Sequence, residues 1–306
     1  MPTSKRLNVA VVGATGLVGN EMLRILAERK FPAERVRVFA SERSTGMEVA
    51  FNGDTLALQR LDESALAGAD VVMFAAGADI SLMYGPIAAE AGALVIDKSS
   101  AWRMKDNVPL VVPEVNPDDI KENEGIIASP NCTTIPLTMV LEPLRKKVGV
   151  ERVIVSTYQA ASGAGRALAN ELADQTKAIA ENREPLVEAT THQLAHNVIP
   201  GGWQAQGYGY NEEEMKLVNE TRKILHDSEL KIVATCVRVP VQVGHSESVI
   251  IETIEEVEPD EVRTILGQAP GIVIEDDPMA RIYPTPLHVA GHDEVYVGRI
   301  RKDLSS

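Results

Sequence analysis

Ser129-Pro130-Asn131-Cys132-Thr133-Thr134 sets one thiol at the start of an apolar run, Ile135 to Val148, whose spacing predicts a helix. Cys132 is therefore the candidate nucleophile, with Asn131 beside it as a candidate partner in catalysis. Thr133 or Thr134 is expected to cap the helix, and Pro136 suits its first turn. Backbone N–H groups and the positive end of the helix dipole would then face the sulfur and favour thiolate over thiol. A buried structural cysteine is the commoner fate of a thiol, but the polar, loop-forming Ser-Pro-Asn suits a cleft better than a core. Downstream, Gln159 ends an apolar strand and precedes the small residues Ala160 to Gly165, where a ligand could lie against backbone. Its amide can orient a carbonyl without changing charge. Arg238 leaves another apolar strand and could grip a carboxylate with two parallel hydrogen bonds. His245, in a glycine-bounded turn, is the candidate acid or base that thiol chemistry needs. Cys236, flanked by Val233, Ala234 and Val237, is expected to be plain core.

A second kind of chemistry is written at the N-terminus. The apolar strand Leu7 to Val12 runs into Gly13-Ala14-Thr15-Gly16-Leu17-Val18-Gly19, and apolar residues at helical spacing follow from Glu21 to Glu28. Glycines at these three positions allow a tight turn, a close approach of backbone to a pyrophosphate and close packing of helix on strand. The helix N-terminus supplies the anion site. Where the adenosine ribose should lie stand Ser41-Glu42-Arg43-Ser44. Arg43 with two serine hydroxyls suits the 2′-phosphate of NADP, while Glu42 leaves NAD open.

Alternating β-branched runs and helical patterns place these groups. Strands are expected at Val36 to Phe39, Val71 to Ala75, Leu94 to Asp97 and Ile126 to Ala128, with a helix at Ile80 to Ala91. That rhythm is the one of a parallel sheet with crossover helices, a Rossmann-type α/β domain. The pattern changes near Cys132, giving a domain over residues 1–131 and another over 132–306. In the second, a strand is expected at Arg152 to Tyr158, helices around Ala167 to Ala180 and Glu212 to Leu225, and strands at Lys231 to Val239, Ser248 to Ile254 and Glu294 to Ile300. The expectation is an α+β domain with a mixed or antiparallel sheet. The 306 residues are 44% hydrophobic and carry 30 basic against 44 acidic side chains, a net charge of −14. No run of Lys or Arg could follow a phosphate backbone, so nucleic acid and anionic membrane are not expected partners. The short polar stretch Met1 to Arg6 and the lack of a long apolar segment point to a cytoplasmic enzyme. Two cysteines fit a reducing compartment, and no metal site is expected.

Taken together, the glycine turn, Ser99-Ser100-Ala101-Trp102-Arg103-Met104, Val111-Val112-Pro113-Glu114-Val115-Asn116, Ser129 to Thr134, Gln159 with Ser162-Gly163-Ala164-Gly165, Glu213 with Lys216, and Arg238 with His245 resemble the bacterial aspartate-semialdehyde dehydrogenase family in order and spacing. Glyceraldehyde-3-phosphate dehydrogenases and N-acetylglutamyl-phosphate reductases share this architecture, but the cysteine motif resembles theirs less well. The resemblance implies reversible, NADP-dependent reductive dephosphorylation of 4-aspartyl phosphate to aspartate 4-semialdehyde through a cysteine thioester, in lysine, threonine and methionine biosynthesis. It assigns attack to Cys132, proton movement to His245 and orientation of the adduct to Gln159. Arg238 would hold the substrate carboxylate, Glu213 its ammonium group, and Arg103 with Lys216 the inorganic phosphate; Ser162 and Gly163 join the glycine turn in holding cofactor. A homodimer across the second domain is implied as well. Without the resemblance, Glu213 and Lys216, three apart on one helix face, read as an ordinary ion pair. Lys98 departs from the asparagine common in the family, and the segment Gly201 to Asn211 is short. Family members also continue past the counterpart of Arg301-Lys302-Asp303-Leu304 into a further helix, which these 306 residues do not include. The other readings are a related acyl-phosphate reductase and a non-catalytic relative that binds nucleotide or a partner, whose mark would be loss of Cys132 or His245.

Overall fold

The computed structural model describes residues 6–201 and 204–305, leaving out the side chain of Arg43. The stretch before Arg6 and the pair Gly202 and Trp203 lie outside the described residues. The chain divides into two compact units, one of the residues up to Val111 with Pro117–Pro130, the other of Val112–Asn116 with everything from Asn131 onward.

The first unit is a sheet of seven strands. β1 (Leu7–Val12), α1 (Leu17–Glu28), β2 (Ala33–Ala40), β3 (Glu48–Phe51), β4 (Asp54–Arg60), β5 (Val71–Phe74), α2 (Ala78–Glu90), β6 (Leu94–Asp97) and β7 (Ile126–Ala128) follow in order. The sheet order is β3-β4-β2-β1-β5-β6-β7. Every pairing is parallel except β3 with β4. β1 is central and buried from Val9 to Val12, which is why its apolar run is unbroken rather than alternating. Helix α1 begins at Leu17, four residues before the periodic pattern starts, because the turn ends at Gly16, the extended residue that stands at the helix cap. The hairpin β3–β4 has a plain local cause. Asn52 and Gly53 both take positive φ, 52° and 88°, the type I′ turn that an Asn-Gly pair favours.

In the second unit come α3 (Thr134–Val148), β8 (Val150–Gln159), α4 (Arg166–Ala180), β9 (Ile199–Pro200), α5 (Glu212–Ile224), β10 (Lys231–Arg238), β11 (Ser246–Thr253), α6 (Pro259–Gly267), β12 (Ile272–Ile274), α7 (Pro286–Val289) and β13 (Val295–Val297). Four strands form a mixed sheet in the order β11-β8-β10-β9, with β8 and β10 parallel and the outer pairings antiparallel. The run expected at Glu294 to Ile300 is only three residues of strand, and it pairs with β12 in a separate two-stranded sheet. Helix α6 carries a start signal that the apolar pattern alone does not show, Pro259 at its first turn with Asp260 and Glu261. Along β8, Val153, Val155, Thr157 and Gln159 are buried while Tyr158 is exposed, the alternation of a sheet with one covered face. Helices α3 and α5 pack against it. Register places Cys236, Thr157 and Glu247 in one row across β10, β8 and β11, and Arg238 beside Gln159 in the next. Among the described residues no helix is long and apolar enough to cross a membrane.

Candidate active site

Asn131 organises the loop that carries the thiol. Its Oδ1 accepts from the backbone N–H of Thr133 at 2.9 Å and from Thr133 Oγ1 at 2.8 Å. It therefore closes the start of α3, in place of the expected threonine cap: Thr133 at the cap position makes no side-chain capping bond. A two-residue reach from Asn to backbone N–H is a favoured local turn, and it leaves Cys132 exposed at the helix entrance. The Asn131 backbone N–H donates to Glu220 Oε2 at 2.6 Å, and its side-chain amide donates to Glu213 Oε1 at 2.9 Å. Both glutamates are on α5.

The strand ends bring the other groups to the same place. Cys132 Sγ lies 3.2 Å from His245 Nε2, and the Ala160 N–H donates to His245 Nδ1 at 2.9 Å. Gln159 Nε2 donates to Glu213 Oε1 at 3.1 Å, and Arg238 Nη1 to the Ala160 carbonyl at 2.7 Å. Lys216 Nζ stands 3.3 Å from Glu213 Oε2, so the ion pair expected from their spacing is formed. Cys132, Asn131, Gln159, Glu213, Lys216, Arg238 and His245 thus belong to one network within the second unit. Two of its buried atoms, Gln159 Oε1 and Arg238 Nε, have no hydrogen-bond partner, and an unsatisfied buried polar atom is costly unless a ligand meets it. Gly163 serves the imidazole: a Cβ there would sit 2.8 Å from His245 Cε1 and Nε2.

The charges of the site follow from burial and neighbours. Burial, reinforced by the Arg238 cation and opposed by Glu213, pushes His245 down to about 4, so the ring is neutral at pH 7. Burial pulls Arg238 below its usual value, against the charges of Glu213 and Cys132. Burial alone would raise Glu213, yet hydrogen bonds from Asn131 and Gln159 and the charge of Lys216 hold it below the usual carboxylate range. In the row behind, burial pushes Cys236 up to about 12 and Glu247 up to about 8. Cys236 is 1% exposed, core as its neighbours in sequence suggest.

Arg103 and the glycine turn are in the first unit. Asp97, fully buried, accepts from Ser81 Oγ and Ser99 Oγ, each at 2.7 Å, and Trp102 Nε1 donates to Ser81 Oγ at 3.0 Å. These bonds fix the loop that ends at Arg103, whose Nη2 donates to the Lys98 carbonyl at 2.9 Å. Lys98, the family departure, donates to Ser129 Oγ and the Pro130 carbonyl. At the turn, Gly13 has φ +85° and a Cβ there would meet the Ala75 oxygen at 2.6 Å; one on Gly19 would strike the Gly13 oxygen. The N-terminus of α1 has no side-chain cap. A close backbone cradle opening on uncapped N–H groups fits a pyrophosphate. Ser41 precedes and Ser44 ends a 3₁₀ turn after β2, Glu42 pairs with Arg60 at 3.5 Å, and the Arg43 side chain lies outside the described residues. Among the described residues no three His, Cys, Asp or Glu gather as metal ligands.

Glu220, the Ala160 peptide and Glu247 are absent from the sequence reading. Glu220 could have been found, since it is seven residues from Glu213 on one helix and so shares its face. The Ala160 N–H has no signature in sequence, as any residue supplies it.

Residues 8–123 match the family model for the NAD binding domain of semialdehyde dehydrogenases, and residues 141–306 the model for their dimerisation domain. An aspartate-semialdehyde dehydrogenase of Aquifex aeolicus is 48% identical over 299 residues, covering 96% of this chain and 88% of that protein. One from Bacillus subtilis is 46% identical over 306 residues, covering 97% and 88%. The crystal structure of aspartate semialdehyde dehydrogenase II of Vibrio cholerae complexed with ASA superposes with a TM-score of 0.96 at 43% identity, covering 99% of this chain and 90% of that one. That of Candida albicans with NADP gives 0.74 at 25% identity, covering 98% and 90%.

Proposed function

The chain belongs to the aspartate-semialdehyde dehydrogenase family, and from that premise we propose that its second unit makes and breaks a thioester on Cys132. Membership makes it a phosphorylating aldehyde dehydrogenase of amino-acid biosynthesis acting on aspartate semialdehyde. The observation that carries the mechanism is the contact of Cys132 Sγ with His245 Nε2 at 3.2 Å, beside the buried Arg238 and Glu213. A thiolate suits both directions of the reaction, being a good nucleophile and a good leaving group. Cys132 adds to the substrate carbonyl carbon, and Gln159, with its open Oε1, orients the adduct. Arg238 holds the α-carboxylate, and Glu213, kept ionised by its neighbours, takes the ammonium group. Lys216 is assigned to phosphate, and Arg103 carries the same assignment from the family resemblance. His245 stands where the carbonyl oxygen needs a proton or a hydrogen bond.

The first unit is an NAD(P) module, and the reading here is NADP, supported by Ser41, Arg43 and Ser44 after the second strand. Gly13, Ala14, Thr15, Gly16, Leu17 and Val18 would hold its pyrophosphate. When bound, the nicotinamide supplies or accepts the hydride. The active form is taken to be a homodimer through the second unit. An assay of NADP reduction by aspartate semialdehyde with and without phosphate tests substrate, cofactor and phosphate together. Strong turnover that needs all three is expected; equal rates with NAD would overturn the cofactor preference, and equal rates without phosphate would overturn the phosphate role.

A further inference from the structure

Strands β2 and β4 run parallel with Ala40 opposite Arg60, so both end at the edge of the sheet where an adenosine ribose is expected. After Ala40 the chain makes the 3₁₀ turn Glu42–Ser44 and bends back onto β4. The Gly46 N–H donates to the Leu58 carbonyl at 3.0 Å, and the Leu58 N–H to the Met47 carbonyl at 2.8 Å. These bonds pin the turn, and Glu42 with it, beside the end of β4. There Glu42 Oε1 lies 3.5 Å from Arg60 Nη1. The other acid in the field of Arg60 is Asp62. It is engaged with its own turn, where its Oδ1 accepts from the Ser64 N–H at 2.9 Å and from Ser64 Oγ at 2.7 Å.

An acid just past the second strand is the group that accepts from the free 2′-hydroxyl of NAD, and its charge repels the 2′-phosphate of NADP. By type and place Glu42 therefore works against Ser41, Arg43 and Ser44, the residues that suit the phosphate. We propose that Arg60 is a specificity-determining residue for the cofactor: it takes up the Glu42 carboxylate, so that the one acid of the turn neither accepts from a 2′-hydroxyl nor repels a 2′-phosphate. This deepens the proposed function and rests on its reading of NADP. Arg60 and Glu42 are both exposed, and such a pair adds little to stability. Its effect is on the charge at the sheet edge. Without Arg60, a full negative charge stands where a group carrying nearly two of the same sign has to bind.

The test is binding alone, with NADP and NAD each titrated calorimetrically into wild type, Arg60→Ala, Glu42→Gln and the double variant. In Arg60→Ala the Kd for NADP should rise about three- to tenfold, the scale of one or two exposed charge contacts, while that for NAD stays level or falls. Arg60→Lys, which keeps the charge, should recover most of the loss. With Glu42 already neutral, removing Arg60 should leave both Kd values as they are in Glu42→Gln. In about 1 M salt, where charges act over only about 3 Å, the effect of Arg60→Ala should largely vanish. Equal weakening of the two cofactors would overturn the inference. So would a double variant as weak for NADP as Arg60→Ala, which would make Arg60 itself a phosphate ligand. The change in the NADP-to-NAD ratio on losing Arg60 decides the matter whatever the wild-type ratio is; a wild type without preference for NADP counts against the proposed cofactor instead.

Discussion

Two thiols in one unit have opposite surroundings. Cys132 is exposed at a helix entrance beside an imidazole, whereas Cys236 is enclosed and its thiol is pushed up to about 12. Replacing Cys132 with serine should therefore remove turnover by several decades, on the order seen when other activated nucleophiles are deleted, while fluorescence titration of cofactor stays near wild type. Cys236→Ser should leave kcat within a few-fold; if it were instead the dead variant, the nucleophile would be misassigned. Glu247 gives a second prediction. Its native value, about 8, lies above the ordinary 4.5, so between those pH values the folded state holds a proton that the unfolded state has lost. Stability must then fall as pH rises through that window, by as much as about 5 kcal/mol at about 1.4 per pH unit. Glu247→Gln, which keeps the neutral shape, should match wild type in urea melts at pH 5 and exceed it at pH 8; equal midpoints at both would show that Glu247 ionises freely. Cys132, Gln159, Arg238 and His245 were legible because their types and their places at strand or helix ends are chemical signals. Glu247 and Glu220 were not, since an acid on a half-buried strand or a helix looks solvated until the packing around it is known.

At the scale of elements, the nucleophile depends on how one helix starts. Asn131→Ala would delete the bonds that close the entrance of α3 and the link to Glu213. Losing such a cap costs about 1 kcal/mol, a shift of a few degrees in Tm. The loss in kcat should be much larger, ten- to a hundredfold, because the sulfur is no longer held at His245. A variant that loses stability and kcat in equal measure would reduce Asn131 to an ordinary cap. Strands β1, β6 and β7 could be read from sequence to the residue because largely buried parallel strands are near-continuous apolar runs. Edge elements were harder. The β3–β4 hairpin is half polar and α6 has a short apolar face, so their best signals are Asn52-Gly53 and Pro259, turn and cap chemistry rather than periodicity.

For the whole molecule, the open face of the four-stranded sheet carries the consequence. Tyr158 and Ile250 are 44% and 43% exposed on strands β8 and β11, a place where a second copy could bury apolar surface despite a net charge of −14. Tyr158→Asp combined with Ile250→Asp should turn the dimer into a monomer in light scattering; a dimer that survives both would have to use another surface. The chain also crosses between its two units more than once. Its path enters the second unit at Val112, leaves it after Asn116 and returns at Asn131, and Val112, Val115 and Asn116 are all buried. The two units are therefore connected by three crossings of the chain. A single genetic crossover at Pro130 would exchange the cofactor module and strip five residues from the catalytic one, so a working chimera needs three junctions.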